Sequence, residues 1–234
     1  MLGRPASLTI DGPSGALEVV VEDPPAALGA PRGLAVIAHP HPLMGGTMDN
    51  KVVHTLVRAF TLAGWRAVRF NFRGVGRSEA AWDEGRGETD DMLAVVAHHL
   101  TDPALRDGRL ALAGFSFGGF VAARAASRLT PSAAEQSAVR APSTLVLVSP
   151  ATSRFEVPAV PAHTLVVQGE SDDVVPLASV LDWARPQALP VTVVPGAGHF
   201  FHGQLALLRE VVLRHLRAEA TGSGAPVVAP DAVE

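Results

Sequence analysis

The strongest constraint on this chain is a rhythm. Short runs rich in apolar and β-branched residues alternate with longer stretches whose apolar residues recur every three or four positions. The runs "GLAVIAH" (33–39), "WRAVRFNF" (65–72), "GRLALAGF" (108–115), "STLVLVSP" (143–150), "HTLVVQGE" (163–170) and "VTVVPGAG" (191–198) read as strands. Helical patterns lie among them. In "MDNKVVHTLVRAFTLAG" the residues Val52, Val53, Leu56, Val57 and Phe60 share one face, and Gly64 ends the pattern. "ETDDMLAVVAHHL" opens on the acidic residues that a helix N-terminus favours. "SFGGFVAARAASRL", "PLASVLDWARPQ" (as far as Pro186) and "QLALLREVVLRHLRAE" complete the set. Ahead of the rhythm, "ASLTIDG" and "ALEVVVEDP" read as an opening strand pair bounded by Pro and Gly. Strands that alternate with helices need crossover connections. The expected fold is therefore α/β, a mostly parallel eight-stranded sheet with helices on both faces.

The 234 residues suit a single domain, expected over 1–218, with the Gly/Pro/Ala-rich 219–234 as a loose tail. About half of the residues are apolar, enough for a large core without staples. There is no cysteine, which excludes disulfides, thiolate zinc sites and a cysteine nucleophile. A formal charge of −4 leaves no basic footprint, so no nucleic-acid partner is expected. The N-terminal stretch lacks the pattern of a signal peptide, and no run approaches the roughly 18 apolar residues of a membrane span. No membrane association and a cytoplasmic location are the expectations.

"GFSFGG" (114–119) sits between a strand and a helix and matches G-x-S-x-G. In that context the turn is so tight that the serine takes a strained backbone. Gly114 and Gly118 then leave room where side chains would collide. Ser116 would stand at the C-terminal edge of the sheet, at a helix N-terminus that favours developing negative charge. A serine nucleophile needs a base, and the base needs an orienting acid. "LVVQGESDDVVP" offers Asp172 and Asp173 just after a strand, and "VTVVPGAGHFFHG" offers His199 after the last one. His202 is a weaker candidate, three residues on. His54, His98, His99 and His215 fall on helical patterns and His163 just before a strand, positions that suit surface or structural roles. No set of histidines shows a metal spacing with a third ligand, so neither metal nor cofactor is expected.

With the order Ser, Asp, His in place, the chain resembles the α/β-hydrolase superfamily over roughly residues 5 to 218. The family's acid often lies in a G-x-x-D-x-x-V-P stretch. "GESDDVVP" matches it at Gly169, Asp172, Val175 and Pro176, which selects Asp172 over Asp173. The catalytic histidine commonly lies in a G-x-G-H-x-F-like stretch, matched by "GAGHFF", which implies His199. "NFRGVGRSE" fits the family's R-G-x-G-x-S loop, in which Arg73 is expected to tie the loop to the sheet end. Glu88, Asp90 and Asp91 are read as capping residues and as partners for Arg73 or Arg77.

The resemblance also explains "AHPHPLMGGTMDN" (38–50), because the loop after that strand supplies half of the family's oxyanion hole. One donor is expected to be the N–H of Phe117. The family's His-Gly-x is here His39-Pro40-His41, and proline has no N–H. His41 and Leu43 remain as second donors, with His41 at the family's position. His39 is expected to pack under the loop, and Gly45 and Gly46 to turn the chain into the next helix.

Many relatives carry a lid between the strands of "STLVLVSP" and "HTLVVQGE". Only "ATSRFEVPAVPA" separates them here, too short for a helical lid. The site should be open, with Leu43, Met44, Phe155 and Phe200 lining an acyl pocket together with Phe117; Phe115 suits the core better. The chain looks most like small lidless bacterial esterases that resemble dienelactone hydrolases, without the cysteine nucleophile of the latter. The implied function is a serine carboxylesterase acting on small, short-chain esters through an acyl-enzyme. A thioesterase, peptidase or acyltransferase on the same fold is an alternative, as is a non-catalytic ligand-binding scaffold.

Overall fold

Alternation along each strand decides which residues face which layer. The computed structural model describes residues 7–129 and 141–221. In chain order the elements are β1 (Ser7–Gly12), β2 (Gly15–Glu22), β3 (Gly33–Ala38), α1 (Lys51–Leu62), β4 (Arg66–Phe70), α2 (Arg86–His99), α3 (Pro103–Arg106), β5 (Arg109–Phe115), α4 (Phe117–Leu129), β6 (Thr144–Val148), β7 (Leu165–Gly169), α5 (Leu177–Ala184), β8 (Val191–Val194) and α6 (Leu205–Thr221). The eight strands form one sheet in the order β1-β2-β4-β3-β5-β6-β7-β8. β1 pairs antiparallel with β2, and β2 antiparallel with β4; every later pair is parallel.

On β3, Leu34, Val36 and Ala38 face the layer of α2 and α4, while Ala35 and Ile37 face that of α1 and α6. The second face is paved with small residues: Ala35, Ala67, Ala111 and Ala113. Phe60, Trp65, Phe201 and Leu208 fill the space they leave. Both faces of the parallel strands β3, β5, β6 and β7 are buried, as a parallel sheet requires, while the outer strands β1 and β8 are partly exposed.

Boundaries follow local chemistry. The Asn50 side chain accepts from the Val52 N–H at 2.8 Å and starts α1. Gly64, at φ 86°, lets the chain leave the helix. α2 begins ahead of Glu88, whose carboxylate accepts from the Gly85 and Asp83 N–H groups at 2.7 and 2.9 Å. α3 is a single turn opened by Asp102, a feature absent from the sequence reading. Between β6 and β7 the chain makes only turns and coil, so no helix covers the sheet edge there. The expected tail, 219–234, starts on α6, which runs through Thr221; residues 222–234 lie outside the described residues. Among the described residues no helix is long and apolar enough to cross a membrane.

Candidate active site

Ser116 occupies the junction of β5 and α4, at φ 57°. That left-handed backbone is costly for serine and is held by bonds on both sides. The Ser116 N–H donates to Val148 O at 2.9 Å, and its carbonyl accepts from Gly119 N–H (2.9 Å) and Ala151 N–H (3.2 Å). The flanking glycines are steric necessities. A Cβ on Gly114 would lie 2.0 Å from Gly118 O, and one on Gly118 would lie 2.4 Å from Ala38 O. The elbow therefore presses against the end of β3.

His199 and Asp172 come from the loops after β8 and β7. His199 Nε2 lies 3.1 Å from Ser116 Oγ, and Nδ1 lies 2.8 Å from Asp172 Oδ2. The carboxylate accepts at Nδ1, so the proton sits there and Nε2 faces the hydroxyl as an acceptor. Gly169 permits the approach: a Cβ there would lie 2.4 Å from Ala197 O, on the loop that carries His199. The Phe115 ring, in the core beneath α1 and α6, supports His199 at 4.8 Å.

Asp172 is buried and fully bonded. Val174 and Val175 N–H groups donate to Oδ1 at 3.0 and 2.8 Å, and Gln168 Nε2 donates to Oδ2 at 3.0 Å. Burial works to raise its pKa, but the bonds from His199 and Val175 outweigh it and hold the group below the ordinary value. Asp173 is exposed, as is His202, and neither enters this hydrogen-bonded chain.

The loop after β3 is anchored by His39, which is fully buried. Its Nδ1–H donates to Pro40 O at 2.6 Å, and its Nε2 accepts from the Phe72 N–H at 3.1 Å. Burial drives its pKa down to about 3, against the pull of the Pro40 carbonyl, so the ring is neutral. Both nitrogens are used internally, and the ring stands under the loop rather than toward a ligand. Beyond it, residues Pro42–Met44 form a single 3₁₀ turn. The turn consumes the N–H groups of Met44, Gly45 and Gly46. The N–H groups of His41 and Leu43 have no main-chain partner among the described residues. A Cβ on Gly46 would lie 2.1 Å from Pro40 O, so glycine is what lets the loop close.

A cavity of about 300 Å³ opens beside Ser116, lined by residues that include His41, Met44, Phe117, Phe155, His199 and Phe200. Leu43 is not among them. It is 68 % exposed, which corrects its expected place in the acyl pocket: the 3₁₀ turn aims it at solvent. His41 borders the cavity, its ring 4.5 Å from Trp82 and 5.1 Å from Phe117. Arg154 and Asn50 also line it and were not singled out in the sequence. Gln168 was missed too, although it is the lone polar residue in the buried strand LVVQG. The charged loop after β4 is structural: Arg73 forks onto Asp91 (2.7 Å), Arg77 meets Glu18 (3.0 Å), and Asp90 meets Arg128 (2.5 Å).

Known proteins share this architecture. Residues 43–162 match the family model described as the alpha/beta hydrolase fold. An uncharacterized protein of Rickettsia prowazekii is 30% identical over 175 residues, which cover 72% of this chain and 71% of that one. An α/β serine hydrolase without lid from Xanthomonas campestris superposes with a TM-score of 0.81 at 36% identity, covering 93% of this chain and 96% of that chain. An α/β serine hydrolase homologue from Coxiella burnetii superposes with a TM-score of 0.77 at 38% identity, covering 92% and 99%. An eight-stranded, mostly parallel sheet with no helix over its β6–β7 edge, together with these matches, shows that the chain belongs to the α/β-hydrolase fold family, beside its small lidless members.

Proposed function

We propose that the protein is a serine carboxylesterase that hydrolyses short-chain esters through an acyl-enzyme. The observation that carries the reading is the hydrogen-bonded chain Ser116–His199–Asp172 at the wall of an open cavity. Ser116 Oγ attacks the ester carbonyl as its proton passes to His199 Nε2. Asp172 stays ionised and holds the Nδ1–H, stabilising the imidazolium that forms. The carbonyl oxygen becomes an oxyanion and accepts hydrogen bonds from the Phe117 N–H and the His41 N–H. Each such donor contributes about 3 kcal/mol to the transition state. The Phe117 N–H opens α4, where the helix has no partner for it. The intermediate collapses as His199 gives its proton to the departing alkoxide. Water, deprotonated by His199, then attacks the acyl-enzyme and releases the acid. Met44, Phe155 and Phe200 supply apolar contact for a small substrate. Small-molecule esters are thus the partners proposed, with no metal or cofactor in the scheme.

Turnover of 4-nitrophenyl acetate tests the assignment. Ser116→Ala is expected to lower kcat by at least about 10³-fold, leaving only what binding and the oxyanion donors supply. Equal rates in the two proteins would sink it.

A further inference from the structure

The described lining of the cavity carries one permanent charge, and that charge lies to one side of the nucleophile. Among the described residues, Arg154, on the turn after β6, is the only Arg, Lys, Asp or Glu in the lining. It makes no ion pair with any described residue. Glu156, close by in sequence, is exposed and outside the lining. Burial and, after it, the charge of Arg154 hold His41 below its ordinary pKa. His41 is therefore neutral, and the positive field on that wall belongs to Arg154.

The two faces of the sheet separate the two halves of an ester bound at Ser116. His199 sits against Phe115, whose ring is in the core under α1 and α6. Phe155 sits 5.2 Å from Phe117 and 4.7 Å from Phe120, against the core under α2 and α4. A histidine that protonates the departing oxygen keeps the alcohol half on its own side. There it meets Phe200, whose ring lies 5.1 Å from that of His199 and is 43% exposed. The acyl half then runs the other way, along Phe117 and Phe155, toward Arg154.

We infer that the preferred acyl group ends in an anion: Arg154 holds a carboxylate at the far end of a short acyl chain, and the alcohol is apolar. The substrates of this class are monoesters of short dicarboxylic acids, which hydrolysis converts with one water into the diacid and the alcohol. The inference rests on the proposed ester hydrolysis and adds its substrate class. A guanidinium suits this role because its planar fork matches a carboxylate, while its methylene stem can lie along the apolar wall.

Paired substrates of equal acyl length test it: 4-nitrophenyl hydrogen adipate against 4-nitrophenyl hexanoate, and the glutarate monoester against the pentanoate. Spontaneous hydrolysis is measured with Ser116→Ala and subtracted. The expected result at low ionic strength is kcat/KM about tenfold higher for the anionic member of at least one pair, carried mainly by KM. The preference should shrink with added salt, because an exposed charge is screened. Arg154→Gln is expected to bring the ratio toward one, Arg154→Glu to invert it, and Arg154→Lys to keep part of it. Equal kcat/KM within both pairs in the wild type, or a preference that survives Arg154→Gln, overturns the substrate class and leaves the esterase reading standing. Turnover of no ester at all overturns both.

Discussion

At the scale of single residues, Asp172 and His39 show how burial is put to use. The Asp172 carboxylate is kept ionised in a dry site because every donor around it points inward, and Gln168 is the one that reaches it from within β7. We expect Gln168→Leu to lower kcat about tenfold with KM little changed, because the loss falls on the orientation of His199 rather than on substrate binding. A rise in KM at constant kcat would contradict a positioning role. His39 contributes to the pH dependence of stability. Its folded pKa, about 3, lies below the ordinary value of 6.5, so the unfolded chain takes the proton first. Its stabilising contribution is complete above pH 6.5 and is lost progressively as pH falls toward 3. At about pH 4 that loss is on the order of 3 kcal/mol. Urea unfolding at neutral and acid pH should show a shallower decline for His39→Gln, which lacks the titrating ring; parallel declines would rule this out. The proposed nucleophile and base were legible because the chemistry demands those residue types just after strand ends; for the acid the same demand left Asp172 and Asp173, and the family resemblance selected Asp172. Gln168 was legible in principle, as one polar residue in an apolar run. Arg154 was not, because nothing in "ATSRFEVP" says which way a turn residue points, and the same ignorance put Leu43 in the pocket.

At the scale of elements, the site depends on how closely β3, β5 and α4 approach one another. Gly118 lies where a Cβ would meet the carbonyls of Ala38 and His39 at 2.4 and 2.6 Å. Those are backbone atoms at the root of the loop that carries His41, so relief requires moving the loop or the elbow. We expect Gly118→Ala to cost about 3 kcal/mol of stability, the upper end for overpacking, and to lower ester turnover at temperatures where the variant is still folded. An unchanged melting midpoint with full activity would refute the close approach. The loop after β4 is fixed in a similar way from the other side, with the Arg73 guanidinium forked onto Asp91 at the start of α2. Strands and long helices were readable because burial imposes a period on them. α3 was not, since four residues cannot display one. The early start of α2 depends on Glu88 reaching back to Asp83 and Gly85, a contact that the apolar pattern does not record.

At the scale of the whole molecule, alternating strands and helices fixed the class of fold, and the short β6–β7 connection indicated an uncovered sheet edge. The strand order did not follow from the pattern. It takes the crossover that sets β4 between β2 and β3, where the chain reverses its direction of winding. That reversal places the His39–Gly46 loop beside the elbow at the carboxyl ends of the strands, the position where open α/β sheets bind ligands. The fold therefore gathers Ser116 after β5, Asp172 after β7, His199 after β8 and His41 after β3 at one edge, with Ser116, His199 and His41 lining one cavity and Asp172 behind His199. There, in the proposed reaction, Ser116 forms the covalent acyl intermediate. Acid quenching of the enzyme during turnover of 4-nitrophenyl acetate, followed by peptide mass spectrometry, tests it directly. The expected result is an acetyl group on the peptide containing Ser116, present in the wild type and absent from Ser116→Ala. Steady turnover with that serine unmodified, or an acetyl group accumulating elsewhere in its place, would contradict it.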